Sequence, residues 1–410
     1  MSTYDARMLL TTHSDAGVDP LPVFVHILGL AVFAQGTSEF MLSGLVPGIA
    51  RDLSVSVGAA ASLTSAYAIG MVVGAPVMAA LGARWPRRRA LAAFLAAFVV
   101  VHAVGAVTTG FPVLFGTRVV AAIVNAGFLA VAMSVATALT HPAKQTRATA
   151  VLLSGVTLSC VVGVPAGALL GDWSGWRAAF WAVAALCLPA LTLVFRSAPA
   201  DAARPREVSI RNEARALRSR AVRSALVLAA LVNGATFATY AYLAVLATEV
   251  AHLPEGAAAG LLAGFGGGAF VGVTVAGRTG DGRMRRGLVR ALCALPVGWA
   301  ALAVAGADAV PLFVLSVVQG GLSFGVGSAL VGRVMRVASH APSLGGAFAT
   351  VALNVGAFLG PLLAGAATGA ADDYRSAAWV SAALAAAATA ITVTAASRAR
   401  SRARVREQTM

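Results

Sequence analysis

Charge is what this 410-residue chain has least of. Acidic and basic residues make up 11% of it, against roughly 25% in an average soluble domain, and that shortage excludes an ordinary water-soluble fold. Cysteine is scarce as well. Cys160, Cys187 and Cys293 stand singly, with no CxxC and no ligand spacing, so each reads as a small core residue rather than part of a metal site or redox pair. No GxxxxGK[ST] loop is present, which argues against ATP drive. No loop carries a Ser/His/Asp, Cys/His or metal-ligand cluster, so neither an enzyme nor a cofactor is expected.

Apolar sequence fills the space instead: 59% of residues are hydrophobic and the mean hydropathy is +0.82. About 20 residues at 1.5 Å rise cross a hydrocarbon core roughly 30 Å thick. Twelve runs meet that length, at 22–46, 57–81, 90–108, 112–139, 149–171, 176–195, 223–249, 256–277, 287–306, 310–339, 343–369 and 375–396. An all-α polytopic membrane protein is therefore expected. Its net charge of +15 raises the alternative of nucleic acid, but the distribution of the basic residues answers it. Only Arg51, Arg177 and Arg375 fall in the loops and span ends of one side, Arg118 falls deep inside a span, and every other Lys and Arg falls in the loops and span ends of the opposite side. That asymmetry places both termini and the central loop in the cytoplasm. The N-terminal segment carries no signal-peptide pattern and is expected to be a cytoplasmic tail.

The sequence also repeats itself at an offset of 198. Gln35 and Gly36 meet Asn233 and Gly234. Gly70 and Gly74 meet Gly268 and Gly272, Arg87 and Arg88 meet Arg285 and Arg286, and Arg177 and Trp181 meet Arg375 and Trp379. Five regions follow: a tail, 1–21; a six-helix half, 22–195; a basic central loop, 196–222; a second six-helix half, 223–396; and a basic tail, 397–410. Parallel halves of this kind enclose a cavity near the bilayer midplane.

Of the acids, only Glu39 lies deep inside a predicted span, Glu249 standing at the very end of one. Hydrocarbon makes such a group costly by roughly 2.5 kcal/mol or more at mid-helix. Glu39 is eight residues before Pro47 and Arg118 eight residues after Gly110, so both lie about 12 Å below the same surface. The two could pair directly or through water, as a structural ion pair or as a proton site whose charge state depends on whether the cavity is wet. Gln35 and Ser43 share the helix face of Glu39. Asn125, Asn233, Gln319 and Asn354 add amides that either line the cavity or bond a neighbouring helix. Tyr67, Phe237, Tyr240, Tyr242 and Phe324 are candidate aromatic walls, and His26 and His102 read as packed histidines.

Motifs narrow the reading further. "GVPAG", with Gly163, Pro165 and Gly167, and "GAFLGP", with Gly356, Gly360 and Pro361, resemble the antiporter motif of the major facilitator superfamily. "GTRVVAAIVNAG" resembles the helix-four arginine motif of its proton-driven drug exporters. "ALGARWPRRRA", with Arg84, Arg87 and Arg88, resembles the motif between helices two and three, although Ala83 stands where the family has Asp. "GRTGDGRMRR", with Gly277, Asp281 and Arg285, is its second copy. Over nearly the whole chain, strings such as "GTSEFMLSGLVPGIA" and "VVQGGLSFGVGS" resemble the actinobacterial chloramphenicol-resistance exporters of the twelve-helix drug:proton antiporter family. The resemblance implies a monomeric antiporter, driven by protons, that moves a chloramphenicol-like drug across the lipid bilayer, with Glu39 and Arg118 coupling the proton. Relatives that move other drugs, sugars or metabolites share several of these strings, so that alternative stands beside it.

Overall fold

The computed structural model describes residues 21–82, 85–140, 145–197, 214–278, 281–337 and 344–408, and among them there is no strand. Twelve helices are long and apolar enough to cross a bilayer. They are α1 Val23–Phe40, α2 Val57–Gly82, α3 Arg87–Val107, α4 Phe111–Ala138, α5 Gln145–Leu158 with its continuation Val164–Ser174, and α6 Trp176–Ser197. Then follow α7 Arg220–Tyr240, α8 Glu255–Arg278, α9 Asp281–Ala305, α10 Ala309–Val337, α11 Leu344–Ala371 and α12 Ser376–Gln408. Helix is the form such segments must take, because lipid offers no partner to a bare N–H or C=O.

Four helices depart from the runs read in the sequence. α1 was expected to continue to residue 46, but it breaks at Met41 and resumes as Leu42–Asp52. At this point the Ser38 carbonyl is taken by Arg118 of α4, and Pro47, inside the second helix, leaves the Ser43 carbonyl without its N–H. Ser43 Oγ instead donates to the Phe40 carbonyl at 3.0 Å. α7 breaks in the corresponding place, at Ala241 and Tyr242, before a short turn of helix and a wide turn over Leu246–Val250. In α5 a wide turn over Ser159–Gly163 precedes Pro165 and absorbs the clash that its ring would make with the carbonyl four residues back. α12 continues as helix to Gln408, although its apolar span ends at Thr394.

Packing follows one scheme twice. α1 lies on α5 and α6, α2 on α4, and α3 on α4 and α6; six helices later, α7 lies on α11 and α12, α8 on α10, and α9 on α10 and α12. Small residues set the α1–α5 and α7–α11 seams. A Cβ on Gly163 would collide with the Thr37 side chain, and one on Gly360 with the backbone of Gly234. The two six-helix sets meet where α2 crosses α11 and α5 crosses α8. There Ser65 Oγ donates to the Phe358 carbonyl at 2.8 Å, Phe40 stacks on Phe237 at 6.0 Å, and Gly58 faces Gly365 and the Tyr242 hydroxyl.

Candidate functional site

The site forms because α1 carries one acid amid apolar residues and the neighbouring helices present their few polar side chains to it. Glu39 is half-buried in the last turn of α1. Arg118, on α4, is only 1% exposed. Its Nη1 donates to Ser38 Oγ at 2.8 Å and its Nη2 to the Ser38 carbonyl at 2.7 Å. The guanidinium is also sandwiched between the Tyr67 and Phe180 rings, at 4.6 and 5.7 Å from their centroids. Of the two pairings read from depth alone, the direct one is not realised: Arg118 grips the residue before Glu39 rather than its carboxylate, within reach of its charge.

The predicted amides divide. Asn125 joins the cluster, donating to the Tyr67 hydroxyl at 2.8 Å and reaching Met71 Sδ at 3.8 Å. Gln35 lies one turn from Glu39, 1% exposed, with neither amide atom partnered. Ser43 is occupied by the Phe40 carbonyl. The other three amides serve the helices instead. Asn233 donates to the Leu353 carbonyl at 2.7 Å and ties α7 to α11. Gln319 donates to the Leu295 carbonyl at 3.1 Å and ties α10 to α9, so the structure does not bring it to Glu39. Asn354 turns back on its own helix at the Thr350 carbonyl.

Aromatic rings link the two sets of six helices. Phe40, Phe237, Tyr240, Phe265 and Phe324 follow one another at centroid distances of 6.0, 5.7, 5.0 and 6.2 Å, across α1, α7, α8 and α10. Phe237, Tyr240 and Phe324 were read from the sequence; Phe40 and Phe265 were not, because aromatics on apolar helices look alike until the helices are packed. Tyr242 lies elsewhere, buried against Tyr374.

The reading of the histidines as packed holds for His102 and is corrected for His26. His26 is exposed. His102 is buried but not idle: its Nε2 lies 2.6 Å from Ser38 Oγ and its Nδ1 2.8 Å from the Phe98 carbonyl. Its depth is the signal that would have found it, since it sits six residues below Thr108 as Arg118 sits eight below Gly110. Among the cysteines, Cys187 is buried as expected, whereas Cys293 is exposed on the peripheral α9; the Cys160 side chain lies outside the described residues.

Of the motif residues, Gly163 and Gly167 press on α1, at Thr37 and Met41, and Gly356 and Gly360 press on α7 at Ala230 and Gly234. Pro165 and Pro361 lie inside these same helices, α5 and α11. Arg88 donates to the Phe195 carbonyl, joining the start of α3 to the end of α6, and Arg87 is half-buried beside it. Arg84, and the surroundings of Gly277, Asp281 and Arg285, lie outside the described residues.

At the opposite end, Asp52 receives Arg177 Nη1 and, at 3.0 Å, Trp176 Nε1, while Arg177 Nη2 donates to the Thr108 carbonyl at 2.9 Å. Hydrogen bonding from Arg177, then from Trp176, holds the Asp52 carboxyl below the usual carboxylate range. These residues edge a cleft of about 490 Å³ that also reaches Gly48, Ala244 and Thr248.

Residues 28–352 match the Major Facilitator Superfamily. The chain belongs to that superfamily. A chloramphenicol resistance protein of Streptomyces lividans is 51% identical over 370 residues, 90% of this chain and 94% of that protein. An inner membrane transport protein of Escherichia coli, YdhP, is 33% identical over 84% of this chain and 87% of its own. A chloramphenicol efflux pump of Mycobacterium tuberculosis is 30% identical over 83% and 84%. Two solved structures share the fold at low identity. A bacterial homologue of the human lysosomal transporter Spinster, inward-facing and occupied, has a TM-score of 0.71 at 16% identity, over 92% of this chain and 97% of that one. A nucleoside transporter has a TM-score of 0.72 at 12% identity, over 91% and 99%. This facilitator is thus a multi-pass bacterial membrane transporter of a small molecule.

Proposed function

We propose that this transporter exports chloramphenicol or a closely related amphenicol in exchange for protons, and so confers resistance to the drug. The observation that carries the reading is Glu39, the acid inside a span, half-buried beside a clustered arginine, amides and aromatic rings in a chain 51% identical to a chloramphenicol resistance protein. An intramembrane carboxyl of this kind is a functional site by default, and proton relays are built from such groups. In the reading, Glu39 carries the proton and Arg118 supplies the counter-charge that makes ionisation tolerable once the proton leaves. The aromatic arc from Phe40 to Phe324 offers flat apolar surface to a nitrophenyl ring. Gln35 and Asn125 offer amides to the drug's hydroxyl and amide groups.

The reading supposes a single chain with both termini cytoplasmic, no cofactor and no chemical change to the drug. The contacts at α2–α11 and α5–α8 then close the outer side, and rocking along the glycine seams opens it. Accumulation of labelled chloramphenicol in a susceptible bacterial host tests it, with cells carrying empty vector, wild type or Glu39→Gln at matched expression, and with a protonophore control. Wild type is expected to lower accumulation, the protonophore to erase the difference, and Glu39→Gln to match the vector. Unchanged accumulation with wild type would remove the drug from the reading.

A further inference from the structure

Arg118 has a carboxylate one residue away from what it holds, and it does not hold it. Its two terminal nitrogens are committed to the hydroxyl and the carbonyl of Ser38, and Ser38 is fully buried. Behind Ser38 stands His102, 1% exposed, with its ring between Phe98 and Phe180 at 4.1 and 5.8 Å. The donors can be assigned from the acceptors. The Phe98 carbonyl only accepts, so the Nδ1 that lies 2.8 Å from it carries the hydrogen, and Nε2 is left with a lone pair. Ser38 therefore donates its hydroxyl hydrogen to Nε2 at 2.6 Å and turns its own lone pairs to Arg118. The same Nε2 lone pair faces Arg118 Nη1 at 3.5 Å, a place where a second cation would be repelled. His102, Ser38 and Arg118 thus form one directed chain of hydrogen bonds across α3, α1 and α4.

We propose that His102 is a positioning residue that, through Ser38, parks Arg118 on the backbone of α1 and keeps its fork off the Glu39 carboxyl, so that this carboxyl gives up its proton only when substrate binds. The inference rests on the reading of Glu39 as the proton carrier. Without an acceptor at His102, the Ser38 hydroxyl turns to a carbonyl of its own helix, as serines in helices do. The Arg118 fork then loses the lone pair that fixed it. A carboxylate next to the old partner is the better ligand, because charge-assisted bidentate bonds are the strong ones. Glu39 paired in that way has no proton to release. The titratable groups around the cluster are Glu39 of α1, Tyr67 of α2, Arg118 of α4 and Cys187 of α6.

Two substitutions separate positioning from packing. His102→Phe keeps an aromatic ring between Phe98 and Phe180 but offers Ser38 no acceptor, whereas His102→Gln gives up the ring and brings an amide oxygen close to the position of Nε2. Chloramphenicol is added to purified full-length protein in weak buffer near neutral pH. Protons released are read with a pH dye and drug binding by calorimetry, and Ser38→Ala serves as the second break in the chain. Wild type and His102→Gln are expected to release protons on binding drug, while His102→Phe and Ser38→Ala bind it and release about a tenth as many or fewer. Wild-type release by His102→Phe or by a well-folded Ser38→Ala overturns the inference alone. Release absent from wild type, or undiminished in Glu39→Gln, overturns the proton reading and this inference with it.

Discussion

Arg118 shows how much depends on the shape of one cation. Its planar fork reaches the Ser38 hydroxyl and carbonyl together while its face stacks on Tyr67. A lysine there keeps the charge but satisfies one acceptor at a time and has no face to stack. Hydrogen bonds to charged groups are worth about 1.5 to 3 kcal/mol each, so Arg118→Lys is expected to lose efflux at least about tenfold, as severely as Arg118→Ala, in the accumulation assay. At the same scale, Tyr67→Phe takes the acceptor from Asn125 Nδ2. It is expected to weaken drug binding measurably without preventing folding, as calorimetry on the purified variant would show. Glu39 and Arg118 were legible in the sequence because ionisable groups are rare in spans and so conspicuous there. Ser38 and His102 were not, because one more serine and histidine on an apolar helix carry no signal until packing sets them 2.6 Å apart.

Among the elements, Asp52, beyond α1, and Arg177, at the start of α6, are joined by an ion pair, and the glycine seams decide how closely the helices approach. Gly48 lines the cleft beside Asp52 and a Cβ there meets nothing within 4 Å, so Gly48→Cys can serve as a reporter in a variant lacking the native cysteines. Asp52→Asn should speed its labelling by a membrane-impermeant maleimide several-fold, because the carboxylate that holds Arg177 and Trp176 is gone. The pH dependence has a definite sign. Asp52 titrates below its ordinary value of 3.8 when folded, so the tie's contribution to stability is present above that value and is lost only as pH falls through the lower, folded one. Labelling of the wild-type reporter, taken relative to a free thiol at the same pH because only the thiolate reacts, should therefore not change between neutral pH and mildly acidic pH. Along α11, Gly360 and Gly369 give a contrast within one helix. Gly360→Ala places a methyl group on the backbone of Gly234 and should cost about 1 to 3 kcal/mol, read as a lower Tm, whereas Gly369→Ala meets nothing within 4 Å and should leave Tm unchanged. The motif spacing flagged these helices in advance. The breaks of α1 at Met41 and of α7 at Ala241 and Tyr242 were missed, since each run is apolar straight through the break.

For the molecule as a whole, exchange of a neutral drug for one proton moves a net positive charge inward. Both the membrane potential and the pH gradient should then drive export, the potential supplying about 2.3 kcal/mol per 100 mV for each charge. In everted vesicles, collapsing the potential at a fixed pH gradient should slow chloramphenicol transport; an unchanged rate would mean an electroneutral exchange. The twelve spans were readable from hydropathy and the internal repeat from a constant offset. The pairing of α2 with α11 and of α5 with α8, which joins the two sets of six helices, was not, because lipid-facing and partner-facing helix surfaces are apolar alike.

By itself the sequence determined what the bilayer enforces: helical segments of spanning length, an excess of arginine on one side, and the near absence of ionisable groups from the interior, which made Glu39 and Arg118 stand out. Membrane solvation acts on each segment separately, so one segment at a time is enough to read it. Only the tertiary structure decided which polar groups meet. It gave Arg118 to Ser38 and His102 rather than to Glu39, sent Gln319 to α9, and carried the aromatic rings from α1 across to α10. Those choices turn on fractions of a helix turn and on where a proline or glycine lets two backbones approach, which no single helix specifies alone.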